Sequence, residues 1–166
     1  MQKSEVSRQE FYACINDLIQ DPQVQAMALI SQHIEEVSRL EHCLYVSYIG
    51  FLLCRFFGLD QRAAARGGLL HDMHTSTRDE AFACRARLLL THPKTALSNA
   101  EDAFPLTAKE KDIIVKHMWP LTLSFPRYAE SYLVSFADKL CAVAEVLRLY
   151  RLMRMGEKLQ PAYGAV

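Results

Sequence analysis

Apolar residues recur at helical spacing along the whole chain, and no run of alternating apolar and polar residues marks a half-buried strand. That regularity restricts the chain to an all-α fold. With 166 residues and a hydrophobic fraction of 51%, the chain can close one bundle around one core and is too short for two full domains. The most apolar stretch, Cys43 to Phe57, carries Ser47, Gly50 and Arg55 and is shorter than the roughly 20 residues needed to cross a bilayer. It reads as a core helix, and no membrane association is expected. Nineteen basic residues balance nineteen acidic ones, so no global field draws the chain to nucleic acid or an anionic surface. Glu10, Asn16 and Asp17 interrupt the apolar positions near the start, so no leader of signal-peptide type is read there and a cytoplasmic location is expected. Cysteines 14, 43, 54, 84 and 141 are odd in number and widely spaced. Neither a disulfide framework nor a zinc ribbon follows from them.

Start and stop signals divide the pattern. Ser7-Arg8-Gln9-Glu10 has the form of a capping box opening a first helix through Ile19. Asp21-Pro22 caps a second, expected to end near Gln32. A long helix is expected from Ser38 to Phe57, closed by Gly58, and another from Gln61 to Leu70, capped by Asp60. Ala63, Ala64, Ala65, Gly67 and Gly68 would let this last helix approach a neighbour closely, delivering His71 and Asp72 to the interior. A polar loop from Met73 to Asp79, a helix from Glu80 to Leu90 and a fresh start at His92-Pro93 follow. Thr107 to Glu110 is a second capping box, leading to His117, and Met118 to Pro126 is a loop. A final helix from about Arg127 to Gly156 is expected to bury Val134, Phe136, Leu140, Val143, Val146 and Leu147, with Arg148, Arg151 and Arg154 facing its negative end.

Laid on these helices, six side chains stand out: His42, the adjacent pair His71-Asp72, His92, His117 and Asp138. Imidazole and carboxylate suit a borderline divalent metal, and in a bundle such ligands must come from several facing helices. Neighbours on a regular helix diverge by about 100°, so for His71 and Asp72 to share a site the helix is expected to stop or distort there. Asp138 lies among Val134, Ala137, Cys141 and Ala142. An unpaired carboxylate in such a stretch would cost several kcal/mol, so it calls for a cation. Cys43 is placed on the far side of its helix from the ligands, and His33 and His74 are read as facing solvent or backing the site.

The ordered pattern His42, His71-Asp72, Asp138, with the strings Leu-Leu-His-Asp and Phe-Ala-Asp-Lys, resembles the HD-domain superfamily of metal-dependent phosphohydrolases over residues 35 to 150. The string from His92 to Ala100, with His117 to Thr122, is similar to a group of bacterial HD-domain proteins of unassigned function. The resemblance implies N-terminal helices over 1–34 packed on an HD domain over 35–156, with a tail over 157–166. It implies a first metal held by His42, His71, Asp72 and Asp138. His92 and His117 would hold a second, with Asp72 bridging the two.

One or two divalent ions follow (Fe, Mn, Ni, Zn or Co, with Mg allowed), and a phosphate ester, by resemblance a nucleotide, is the expected substrate. Asp72 would serve the reaction together with Lys94 and Arg127. Lys116, Lys139 and Arg78 are further cations near in sequence, and Trp119 and Tyr128 are candidate stacking partners. Two departures from the pattern stand out. Thr75 occupies the place of a Lys common in nucleotide-cleaving members, and Met118 the place of a second His. A Gly-Tyr-Pro motif is absent, which counts against the cyclic di-GMP phosphodiesterases that carry it. Symmetric dinucleoside tetraphosphatases, a di-iron oxygenase of the same fold and an inactive nucleotide- or metal-binding module are the alternatives, and a homodimer is allowed.

Overall fold

The computed structural model describes residues 2–74 and 82–149, with side chains over 7–74 and 91–149. Helix α1 (Gln2–Ile19) begins five residues ahead of the Ser7 box. The upstream residues include neither Gly nor Pro, so nothing stops the helix there. Asp21 accepts a hydrogen bond from the Gln23 amide at 2.8 Å and opens α2 (Pro22–Ala26), with Pro22 in its first turn. The expected continuation to Gln32 does not occur. A 3₁₀ turn at Met27–Leu29 leads to an extended Ile30, after which the chain folds back on itself. The Arg39 amide donates to the Ile30 carbonyl (2.7 Å) and the Gln32 amide to that of Val37 (2.9 Å).

Helix α3 (Arg39–Phe56) starts from a complete capping box, Ser38 with Glu41. It closes at Gly58, whose φ of 68° only glycine adopts freely. Asp60 caps α4 (Gln61–Leu70) through the Ala63 amide at 3.0 Å. Helix α5 (Phe82–Ala103) runs through His92-Pro93 without a break. The proline φ is already helical and the ring removes one hydrogen bond, so the residues on both sides carry the helix past it. The expected loop and helix start at 75–81 lie outside the described residues. Helix α6 (Ala108–Lys116) opens from the Thr107–Glu110 box, and α7 (Ala129–Val146) completes the bundle.

Helix α7 stops ten residues short of Gly156. Arg148 takes a left-handed conformation (φ 56°), and the Leu149 amide donates back to the Ala144 carbonyl at 2.8 Å, a Schellman closure. Arg148 therefore lies past the helix, while Arg151 and Arg154, with the expected tail, lie outside the described residues. Only one face of α7 is buried. Val134, Ala137 and Cys141 are in the core, whereas Phe136, Leu140, Val143, Val146 and Leu147 are exposed, against expectation.

The protein is an all-α bundle of one domain, with α4 at its centre against α1, α3, α5, α6 and α7. Phe11, Ile15 and Leu18 of α1 share one core with Leu44, Phe51, Leu69, Leu70, Ile113, Ile114 and Val134. The N-terminal helices are thus an integral wall of the bundle. Small residues set the closest approach. A Cβ on Gly68 would stand 2.8 Å from the Ser47 Cα, and the Ser47 hydroxyl donates to the Ala65 carbonyl at 2.6 Å. Close contact between α3 and α4 brings the end of α4 inward. Among the described residues, no helix is long and apolar enough to cross a membrane.

Candidate metal centre

Helix α4 ends at Leu70, and the chain turns at once through His71 and Asp72. Both side chains are buried, His71 from the C-cap position and Asp72 from the turn after it. His42 comes from the first turns of α3, His92 from α5, His117 from the end of α6 and Asp138 from α7. His42, His71, His92 and His117 are buried, as is Asp72.

The donor atoms fall into two adjoining groups that share His71. In the first, His42 Nε2 and His71 Nε2 lie 3.1 and 3.7 Å from Asp138 Oδ1. The second joins His71, Asp72 and His117. Asp72 presents one oxygen to each side: Oδ2 lies 3.7 Å from His71 Nε2, and Oδ1 lies 3.3 Å from His92 Nε2 and 3.7 Å from His117 Nε2. The Nε2 atoms of His92 and His117 are 2.8 Å apart.

Second hydrogen bonds fix the rings. His71 Nδ1 donates to the Gly68 carbonyl and His117 Nδ1 to that of Ile114, each at 2.8 Å, which turns both Nε2 atoms toward the cluster. His71 Nε2 and Asp72 Oδ1 are buried with no hydrogen-bond partner among the described residues. Such orphans ask for a ligand. The donor set, its convergence and these atoms fit one or two divalent cations of borderline softness.

The electrostatics agree. Burial opposes charge on His42, but hydrogen bonds to Asp138 and Glu145 outweigh it and push its pKa up to about 10. Burial also opposes charge on His71, yet Cys43, Asp72 and Asp138 raise its pKa well above the ordinary value. Asp72 and Asp138 remain ionised far below the usual carboxylate range despite burial, held there by the surrounding imidazoles. His117 is pushed down to about 3 by burial and the charge on His71. Positive charge is thus concentrated beside the carboxylates of Asp72 and Asp138.

Comparison with known proteins finds no matching family model, no matching curated protein and no matching solved structure.

Lys94 and Arg127 are exposed, and among the described residues no hydrogen bond or ion pair joins either side chain to the cluster. The Arg127 amide instead donates to Asp112, pinning the start of α7. Lys94 points outward because it lies two residues past His92 on a helix that continues, where a helix start was expected. The cation at the rim is Lys139, whose Nζ is 3.1 Å from Asp138 Oδ2 and also donates to the His117 carbonyl. Trp119 packs edge-on against Tyr132, their ring centroids 5.0 Å apart.

Cys43, expected on the far side of α3, is fully buried and interacts with His71. His74 is buried with its ring 5.4 Å from that of His92, which fits the reading that it backs the site over the one that it faces solvent. Three further residues had no signal in the sequence. Gln32 donates to Asp72 Oδ2 at 2.6 Å, Arg39 Nε donates to Gln32 at 2.8 Å, and Glu145 meets His42 Nδ1 at 2.8 Å. Gln32 lies 40 positions from Asp72 and Glu145 lies 103 from His42, so local spacing could not reveal either, and Arg39 reaches the site only through Gln32.

Proposed function

We propose that this chain is a metal-dependent phosphohydrolase acting on a nucleotide or a related phosphate ester, and that its fold is of the HD-domain type. One observation carries the reading: buried imidazoles and carboxylates from α3, α4, α5, α6 and α7 converge with unsatisfied donor atoms turned inward. The order of these residues along the chain is the one that resembles HD-domain phosphohydrolases. Bound there, divalent cations would supply Lewis acidity, lowering the pKa of a water toward neutrality and offsetting charge on phosphoryl oxygens.

The chain's own part is positioning. His42, His71 and Asp138 would hold one ion, and His92 and His117 would serve a second. Asp72, whose two oxygens face the two groups, would serve both and is held by Gln32. Lys139, whose ammonium lies against Asp138 at the edge of the cluster, is a better candidate to meet an incoming phosphate than Lys94 or Arg127.

The test begins with the metal content of the purified protein, then phosphate release from a nucleotide panel with Mn or Fe added. Release that falls at least about 100-fold in Asp72→Ala supports the reading, since Asp72 would serve both ions. Oxygen uptake by iron-loaded protein without phosphate release, or tight nucleotide binding without turnover, would replace it with an oxygenase or a binding module.

A further inference from the structure

We infer that Glu145 is a positioning residue for the metal site: its buried carboxylate accepts a hydrogen bond from the Nδ1–H of His42 and so turns Nε2 toward the position shared with His71 and Asp138. The inference rests on the metal-site reading above. Helix ends explain why His42 needs such a partner. His71 and His117 each follow the last residue of a helix, where the carbonyls three residues back lack intrahelical donors and can accept from Nδ1. His42 lies near the start of α3 instead, with its amide bonded to the Ser38 carbonyl at 3.0 Å, and the carbonyls around it are consumed by the helix. Its outer nitrogen must find an acceptor from another element.

Helix α7 supplies it. Glu145 follows Asp138 by seven residues, two turns on one face, so a single helix places a carboxylate at each nitrogen of the His42 ring. The distances are 2.8 Å from Nδ1 to Glu145 Oε1 and 3.1 Å from Nε2 to Asp138 Oδ1. Glu145 is 1% exposed and its Oε2 has no hydrogen-bond partner among the described residues. A carboxylate held so deep needs a hydrogen-bonded partner, and among the described residues His42 Nδ1 is the one it has.

His33 adds a competing use of the same atoms. Its Nε2 lies 4.0 Å from Glu145 Oε2, its ring stands edge-on to His42, and His33, His42 and Glu145 would together suit a cation of their own. Such an ion would require the Nδ1 lone pair of His42, leaving the proton on Nε2 and withdrawing the ring from the inner set. A neutral imidazole can serve one side only, and the inner side holds Asp138, His71 and the orphaned donors.

The experiment titrates the full chain with Co(II), reading affinity, ion count and the visible d–d spectrum for the wild type, Glu145→Gln and Glu145→Ala. Glu145→Met, of similar length and without an acceptor, replaces the alanine variant if that fails to fold. Glu145→Gln, which still accepts from Nδ1, should bind Co(II) within a few-fold of wild type with the same spectrum. Glu145→Ala should lose about 10- to 100-fold in affinity with an altered spectrum and an unchanged ion count. Unchanged affinity and spectrum in Glu145→Ala would overturn the inference, as would a loss of one ion with the rest bound normally, which would make Glu145 a ligand. Failure of the wild type to take up Co(II) sinks the metal-site reading instead. The His42 ring is then read by NMR: an exchange-protected, downfield Nδ1 proton in wild type and Glu145→Gln that vanishes in Glu145→Ala supports the orientation, and its persistence refutes it.

Discussion

Glu130 shows how a single carboxylate couples two helices and the loop between α3 and α4. It is buried, and its Oε1 accepts from the Asp60 amide at 3.1 Å and from Lys109 Nζ at 2.7 Å. Burial pushes its pKa up, but the hydrogen bond from Lys109 outweighs that and leaves it below the ordinary value of 4.5. Because the folded value is the lower one, the stabilisation is fully present above pH 4.5 and is lost as pH falls through the folded value. Thermal unfolding followed from pH 6 to 3 should show a shallower acid decline in Glu130→Gln than in wild type. Equal declines would mean that the pair contributes nothing. Residues of this kind also mark what a sequence reading can reach. Asp138 betrays itself because a carboxylate among Val134, Ala137 and Cys141 needs a cation. Glu145, one position from Val146 near a helix end, looks like an ordinary surface charge until His42, far along the chain, is brought against it. Gln32 is hidden for the same reason.

At the scale of the element, the local rules served where the chain speaks to itself. Ser38, Asp60 and Thr107 cap α3, α4 and α6 as their side chains suggest, and Gly58 closes α3. They failed where a single residue was read as a boundary. Pro93 lies inside α5, and Arg148, not Gly156, closes α7, because tertiary packing and chain reversal override propensity. The small residues of α4 belong to both levels: the run of Ala and Gly is visible in the sequence, whereas its partner Ser47 is not. A methyl group on Gly68 would meet the Ser47 Cα at 2.8 Å, and backbone cannot step aside as a flexible side chain can. Gly68→Ala should therefore destabilise the protein by about 1–3 kcal/mol, despite alanine's better helix propensity. Urea unfolding would measure it. A stabilised variant would show that α3 and α4 approach less closely than the structure has them. Since His71 hangs from the end of α4 and bonds back to the Gly68 carbonyl, metal affinity should weaken in the same variant.

For the whole molecule, α7 is where apolar pattern and burial part company. Its sequence is apolar on nearly every side, which by itself predicts a helix surrounded by protein. The bundle instead covers only the face of Val134, Ala137, Asp138, Cys141 and Glu145, packing it against α3, α4 and α6. The site accounts for this choice: the inward face must present Asp138 and Glu145 to His42, and seven helices of this length leave nothing to cover the reverse side among the described residues. Phe136 is 59% exposed and Val143 55%, while Val134 is fully buried with a methyl against Gly50. The asymmetry makes a direct comparison. Val134→Ala removes buried methyl groups and opens a gap beside Gly50, so it should cost about 2 kcal/mol in urea unfolding. Phe136→Ala removes the larger side chain yet should change stability by no more than about 0.5 kcal/mol, because its ring already faces water. A reversed order, with Phe136→Ala the more damaging, would mean that the outer face of α7 is covered in solution.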